Sequence, residues 1–512
     1  MSTDTGSQFR VFSHSNSDHW EDNPANPRQW SLGRKWQAMG IISLYTLSTT
    51  MGTSMMAPAL LEIAKRYDIT NSTILAMTVS ISSLSVAFGP LFIAPLSEMY
   101  GRTWVLHIGN LAHAVMNLGC AYSPTLGSLL AFRFLAGLAA STPIAVVGGS
   151  INDLFSDRER AVAMAVYSPM ALIGTFVFPI AGGFIAQNLG VKYVFIAMSL
   201  SCGVAAAIGI PCLRETYAPV ICLRLAKRPA DLEKLAQTLA PTGNKSTWHN
   251  LRLNLTRPMV LLTRSLICFM LSLYIALIFG IFSLMFITFS SLFSGVYHFS
   301  HGVIGLAFLG PGIGCIVGIT FSGWISNKLY KTLADKNGGN GKPEMRIPSM
   351  IFGTFFIPVG LLWYGWSAAA RIHWIMPMIG ASIFGFGWVT VLVQARLYIV
   401  DAFAFPASAL SAAAVFESLL GFTFPLFGQD MYIKLGYGGG TSLLASLAVV
   451  IGIPFPIWVW YKGEGIRKRS AVFMSQEGCH PGSSASLQGM QLTSSLEQDG
   501  ECDKEPNSVV KE

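Results

Sequence analysis

Among the charged side chains inside long apolar runs of this chain are Arg133, within residues 129–150, and Glu417, within Ala412-Ala413-Ala414-Val415-Phe416-Glu417-Ser418; Arg396 falls within 374–397. A charge at the centre of a bilayer costs at least about 2.5–3.5 kcal/mol on insertion scales, so such residues are paired, line water, or handle ions and protons. A buried carboxylate takes up and releases a proton as its surroundings change. Glu417 therefore reads as a proton-exchanging group or as an attractor for a cationic solute, against a neutral carboxyl that ties helices together. Arg133 has its own bland alternative, a guanidinium locked onto backbone carbonyls. A third set lies at a turn, where Glu98 and Arg102 flank Tyr100-Gly101. Four residues apart, the two can pair and hold adjoining helix ends in one conformation, with Gly101 supplying the φ that a tight turn needs.

The elements that must position these groups are membrane helices. Of 512 residues, 52% are hydrophobic and only 12% charged, against about 25% charged in a soluble domain. Crossing a bilayer core takes about 20 apolar residues, and runs of that length recur near 38–60, 73–96, 104–122, 126–150, 161–186, 192–212, 265–290, 302–326, 347–367, 374–397, 408–429 and 441–461. The expected fold is all-α: twelve transmembrane helices in two six-helix bundles, 38–212 and 265–461. A tail at 1–37, a central loop at 213–264 and a Ser/Gln/Glu-rich tail at 462–512, expected to be disordered, complete the chain.

Charge placement fixes an expected topology. Of 34 Lys and Arg, 27 fall on one side, among them the nine basic residues of the central loop. That bias puts both termini and the loop in the cytoplasm, so the net charge of +8 orients the chain and does not point to nucleic acid. The loop is also expected to hold a short helix at 229–239. Duplication is suggested by an echo: Ser97-Glu98 to Arg102 after the second run, Ser326-Asn327 to Lys331 after the eighth, each pairing an acidic or amide residue with a base four positions on. Parallel halves of this kind are a transporter plan. The eight cysteines form no close CxxC pair, so neither a disulfide framework nor a metal is expected, and no cofactor. The first 35 residues lack a cleavable signal pattern. Asn71-Ser72-Thr73 is a glycosylation sequon on the predicted outer side, hard against the membrane, where poor use is expected.

Several strings resemble the major facilitator superfamily, in its fungal drug:proton antiporter branch with twelve spans. They run from Asn26-Pro27-Arg28-Gln29-Trp30-Ser31 through Gly89-Pro90 to Arg102, Arg133-Phe134-Leu135-Ala136-Gly137, Gly148-Gly149, Asp153-Leu154 and Glu215-Thr216-Tyr217-Ala218-Pro219 to Tyr398-Ile399-Val400-Asp401-Ala402 and Phe424-Pro425-Leu426-Phe427. The resemblance implies proton coupling or gating for Arg133 and supports a gating role for Glu98, Arg102 and Asp153, whereas the proton-coupling role expected of Glu417 rests on its buried carboxylate. The fifth run carries Gly174, Pro179, Gly182 and Gly183, a bend with small residues that resembles the branch's antiporter motif, with Thr175 and Phe178 where the motif has proline and glycine. Relatives often carry a base where Glu417 stands, and a carboxylate and proline where this chain has Thr288 and Ser290.

Tyr45, Tyr274, Phe279, Phe282 and Gln394 are expected to line a substrate cavity, although aromatic residues at helical spacing more often pack against neighbours. His107 and His113 are weaker proton-relay candidates. The sequence holds no phosphate-binding G-x-x-x-x-G-K-[ST] string and no HExxH or GxSxG string, so no enzyme is expected. The function implied is export of small, largely apolar organic compounds, such as drugs, toxins or polyketide-type metabolites, by proton antiport and alternating access. A proton-coupled importer or polyamine-type carrier and a non-transporting sensor stay open as alternatives. The expected partners are the small-molecule substrate, protons and the lipid bilayer, with the chain a monomer in the plasma membrane and the vacuolar membrane as the alternative.

Overall fold

The computed structural model describes residues 23–225, 259–338, 341–403 and 406–476, and among them there is helix but no strand. The expected loop helix at 229–239 and most of the C-terminal tail lie outside the described residues. The helices are α1 (Leu32–Ser54), α2 (Leu60–Arg66), α3 (Ser72–Tyr100), α4 (Arg102–Ala121), α5 (Leu126–Leu154), α6 (Asp157–Asn188), α7 (Val191–Cys212) and α8 (Ala218–Leu225). After the central loop come α9 (Leu266–Gly295), α10 (His301–Ala307), α11 (Leu309–Phe321), α12 (Asn327–Lys336), α13 (Ile347–Ala369), α14 (Ile375–Ala402), α15 (Pro406–Leu447) and α16 (Pro454–Gln476). Residues 464–512 form a unit separate from Met1–Gly463, helical as far as Gln476.

Among the described residues nine helical stretches are long and apolar enough to cross a membrane. One of them, Ser408–Arg467, is 60 residues long and folds into a hairpin. Its helix breaks at Gly436, φ 70° and ψ 169°, and the Tyr432 ring lies against Gly440, 2.6 Å from where a Cβ would stand. Eight residues of straight helix would hold the two about 12 Å apart. Two more crossings, α1 and α4, are diluted by polar side chains that face one another inside the bundle. Tyr45 Oη meets His107 Nδ1 at 2.7 Å, and Ser48 donates to Asn110 Oδ1 at 3.3 Å. Burying that polar seam leaves the apolar faces outward, and the total reaches the expected twelve.

The two halves repeat one packing pattern. Helix α5 packs on α3 and α4, as α14 packs on α11 and α13. The halves meet where α3 lies on α15 and where α6 lies on α10 and α11. Helices α10 to α12 form one crossing, His301–Lys336, longer than the expected 302–326 and interrupted by a π-helical turn at Ser322–Ser326. A second π turn, Ala448–Gly452, precedes α16. One end of the molecule carries Arg102 and Asp153 and the other Glu62 and His301; these residues name the two ends below.

Candidate functional site

Arg133 is buried, with 1% of its surface exposed. Its Nε donates to the Thr78 carbonyl at 3.3 Å, Nη1 to the Gly52 carbonyl at 3.1 Å and Nη2 to Ser82 Oγ at 3.4 Å. Helix α5 is thereby tied to α1 and α3 by one side chain. Gly137, one turn on from Arg133, faces the Ser82 backbone, where a Cβ would meet the Ser82 carbonyl at 2.6 Å; the R-x-x-x-G spacing thus brings α3 near enough for the guanidinium to reach. All three acceptors are neutral. The ring of His113 packs on the same Gly52, and its Nδ1 meets the Ala136 carbonyl at 2.9 Å.

Glu417 on α15 has a partner that sequence reading left unassigned. Arg396 of α14 donates from Nη2 to both carboxylate oxygens, each at 3.0 Å. The Glu417 side chain is 10% exposed and that of Arg396 50%. A half-exposed guanidinium six residues from the end of α14 reaches water or the headgroup layer, not hydrocarbon. It lies on an exposed stripe with Val400, and matching stripes occur toward the same end of α5 (Ile144, Gly148), α9 (Leu266, Leu273) and α1 (Gly40). Apart from Arg396 these residues are glycine or apolar, while one turn further toward that end α1 exposes Gln37 and α5 exposes Asn152.

At the Arg102 end the expected Glu98–Arg102 pair is not formed, and Glu98 is exposed. Arg102 instead donates to Ser97 Oγ at 2.6 Å, lies 3.4 Å from Asp153 Oδ2, and stacks over the Tyr217 ring at 4.9 Å. Burial pushes the Tyr217 hydroxyl up from its usual range. Glu215 explains both strings around it. Its carboxylate accepts the backbone N–H groups of Arg102 (2.9 Å), Thr103 (3.3 Å), Thr216 and Tyr217 (both 3.0 Å), capping the start of α4, where the helix dipole favours an anion. Gly101 has φ +99°, and a Cβ there would collide with that carboxylate. The C-terminal half repeats the arrangement, although not through Lys331, which is exposed. Arg346 donates to Asp401 Oδ2 at 2.8 Å and to Asn327 Oδ1 at 3.2 Å, and covers the Tyr330 ring at 4.4 Å.

At the Glu62 end the halves are joined. Glu62 meets His301 Nε2 at 3.2 Å, Ser72 donates to Asp430, and the Gln187 side chain accepts from Gly302 N at 3.0 Å. The Lys65 ammonium, 2.7 Å from the same Glu62 oxygen, holds that carboxyl below the usual range, and His301 adds to the effect. The α6 glycines divide between two partners. Gly174 seats Thr50 and Gly182 seats the Met55 backbone, both within the N-terminal half, while Gly183 seats the His301 backbone of the other half. Pro179 presents its carbonyl to Gly305 across the same interface.

The expected cavity residues separate. Tyr45 is sealed inside the N-terminal half against His107. Tyr274 bonds Thr354 Oγ1 at 2.9 Å and packs on Phe455, 4.8 Å between centroids, inside the C-terminal half. Neither lines a cavity. Phe282 does reach the interface, stacked on Trp388 at 3.9 Å and 8°, with Phe176 of the other half edge-on at 6.2 Å. Phe279 packs on Phe282 at 5.9 Å and against Gly421. Gln394 is buried with neither amide atom hydrogen-bonded. Asn71 caps α3, its Oδ1 accepting from Thr73 N at 2.9 Å and Ile74 N at 3.3 Å. Among the described residues no group of three His, Cys, Asp or Glu side chains is placed to hold a metal.

Sequence and fold comparisons agree with this layout. The profile of the Major Facilitator Superfamily matches residues 42–425. The MFS transporter cpaT of Aspergillus oryzae is 39% identical over 450 residues, covering 88% of this chain and 90% of that protein. The efflux pump radE of Floropilus chiversii is 38% identical, covering 87% and 83% respectively. Among solved structures, a partially occluded inward open conformation of the xylose transporter XylE from E. coli superposes with a TM-score of 0.60 at 14% identity, over 84% of this chain and 98% of that one.

Proposed function

Because the chain belongs to the major facilitator superfamily, we propose that it exports small, largely apolar organic compounds, of the kind fungi make as secondary metabolites, by proton antiport. The observation that carries this reading is the ion pair Arg396–Glu417, its guanidinium half exposed toward the Arg102 end, where α1, α5 and α9 also expose mostly glycine and apolar side chains, a composition suited to apolar cargo with few polar groups. Relatives named as efflux pumps, similar over nearly their whole length, support the direction.

On this reading the Arg102 end faces the cytoplasm, with both termini, and the halves are sealed at the outer Glu62 end. The carrier works as a monomer in the plasma membrane. Glu417 is the proton-exchanging group. Arg133 keeps α1, α3 and α5 moving as one body, and the Arg102–Asp153 contact, with Glu98 exposed beside it, governs closure at the inner end. A polyamine-type carrier fits less well, because Arg396 already neutralises the carboxylate that a polycation would need.

Inside-out plasma membrane vesicles test the proposal. They should concentrate an apolar fluorescent dye when their lumen is acidified and lose it when a protonophore is added. Vesicles that accumulate dye only when the gradient is reversed would overturn it.

A further inference from the structure

Resting on the export reading, we propose that Arg396 and Glu417 together form the polar subsite for cargo, and that it selects uncharged molecules carrying a hydrogen-bond donor and an acceptor on one carbon, such as primary amides or lactams.

The contact uses little of what either group offers. Arg396 gives Glu417 only Nη2, leaving the N–H groups of Nε and Nη1 without a partner among the described residues, on a side chain half exposed on the stripe. A carboxylate has about four acceptor positions, and Glu417 has two in use. The open positions therefore stand as a donor set beside an acceptor set. A cargo carbonyl accepts from Arg396 while the neighbouring N–H donates to Glu417. Charged cargo of either sign meets a like charge, an anion at Glu417 and a cation at Arg396, so an uncharged molecule fits best.

Exposed polar side chains near the pair are few, Gln37 of α1 and Asn152 of α5 among them. Two turns along α14, about 12 Å away, Trp388 stacks on Phe282. Its indole N–H is buried without a partner, as is the amide of Gln394 between them. The same geometry sets cargo against proton, because protonation of Glu417 turns a charged acceptor into a neutral carboxyl, which holds the cargo's donor more weakly. Arg396 is the group facing that carboxylate from α14, and α9 presents Phe269, edge-on to Phe416 at 5.7 Å. Proton uptake thus displaces cargo, the order that antiport requires.

Two probes test the subsite on the full chain in proteoliposomes: 2-naphthamide and N,N-dimethyl-2-naphthamide. Both are uncharged across the working pH range, and the dimethyl compound keeps the acceptor but lacks the donor. Naphthyl fluorescence should show the primary amide bound about tenfold or more tighter by the wild type, as befits a hydrogen bond to a charged group. Glu417→Met should remove that preference while keeping the weaker binding of the dimethyl amide. Arg396→Met should weaken both probes alike. Where Glu417→Met does not fold, Glu417→Gln replaces it: acid should loosen the primary amide from the wild type but leave its binding to Glu417→Gln unchanged. Equal affinities in the wild type, binding of neither probe, a preference that survives Glu417→Met, or acid sensitivity retained in Glu417→Gln would each overturn the proposal. A carrier that shows the amide preference yet fails the vesicle assay would sink the export reading alone.

Discussion

Arg346 donates from Nε to Asp401 at 2.8 Å, and this contact in the C-terminal half is the counterpart of the one between Arg102 and Asp153 in the N-terminal half. Each joins the start of one crossing to the end of the next, with an aromatic ring under the guanidinium. The copies differ in burial: Asp153 is 17% exposed and Asp401 27%. Asp401→Asn should lower stability by about 1 kcal/mol or less, as for partly exposed pairs, and Asp153→Asn by less still, because burial pushes the Asp153 carboxyl up to about 6 and the neutral amide avoids the cost of a buried charge. Thermal unfolding of the two purified variants would check the order.

Gly101 and Glu215 form a second coupled pair. Gly101→Ala forces a side chain into positive φ, a strain of about 1–3 kcal/mol, and also pushes on the capping carboxylate. Glu215→Ala removes the cap, at a cost of about 0.5–2 kcal/mol. The double variant should lose less than the sum, since the collision in Gly101→Ala is with Glu215 itself. Unfolding midpoints for the two single variants and the double variant decide it.

Adjacent glycines on α6 should fail in different ways. Gly182→Ala drives a methyl into the Met55 backbone of the same half and should lower the unfolding midpoint. Gly183→Ala presses on the His301 backbone across the interface and should open the Glu62 end instead. A cysteine introduced at Ala59, buried in an apolar cluster that also holds Ile287 of the other half, in a cysteine-free background reports the difference. Its labelling by a membrane-impermeant maleimide should accelerate in Gly183→Ala and not in Gly182→Ala.

The Glu62 seal has a defined acid limit. Its carboxyl is held low by Lys65 first and His301 second, so its folded-state pKa lies beneath the unfolded value. The stabilisation is present above the ordinary glutamate range and is lost as pH falls through the depressed value. Wild-type protein should lose more thermal stability than Glu62→Gln as pH is lowered from 5 to about 3, and the two should run parallel above pH 5.

Arg133→Lys should not replace arginine. Three acceptors on two neighbouring helices are met by one planar fork, a geometry that a single ammonium cannot copy. Dye efflux should fall about tenfold or more with surface protein retained; efflux at wild-type rates would remove Arg133 from the gating role.

The twelve crossings were legible because apolar run length is a local property, and so were the turn at Gly101 and the close packing at the small residues of α6. Partners distant in sequence were not. Arg396 and Glu417 lie on neighbouring crossings 21 residues apart, and Glu215 reaches Arg102 from 113 residues away; neither distance leaves a periodic mark. The echo between Arg102 and Lys331 followed spacing after a helix, whereas the structure uses Arg346, which starts the next crossing as Arg102 does. Tyr45 and Tyr274 carry the same pattern whether they face a cavity or a neighbour, so burial alone could place them.

Because Arg133 is satisfied by carbonyls and a hydroxyl instead of a carboxylate, one positive charge stays uncancelled at its site within the hydrocarbon depth. When the bundle holding it tilts, that charge is carried through a fraction of the electric field across the membrane. A full traverse at 100 mV is worth about 2.3 kcal/mol; a tenth of it is about 0.2 kcal/mol. Voltage therefore enters the rocking step directly, and cells with a steeper resting potential should cycle this protein at a different rate even when cargo and pH gradient are held constant.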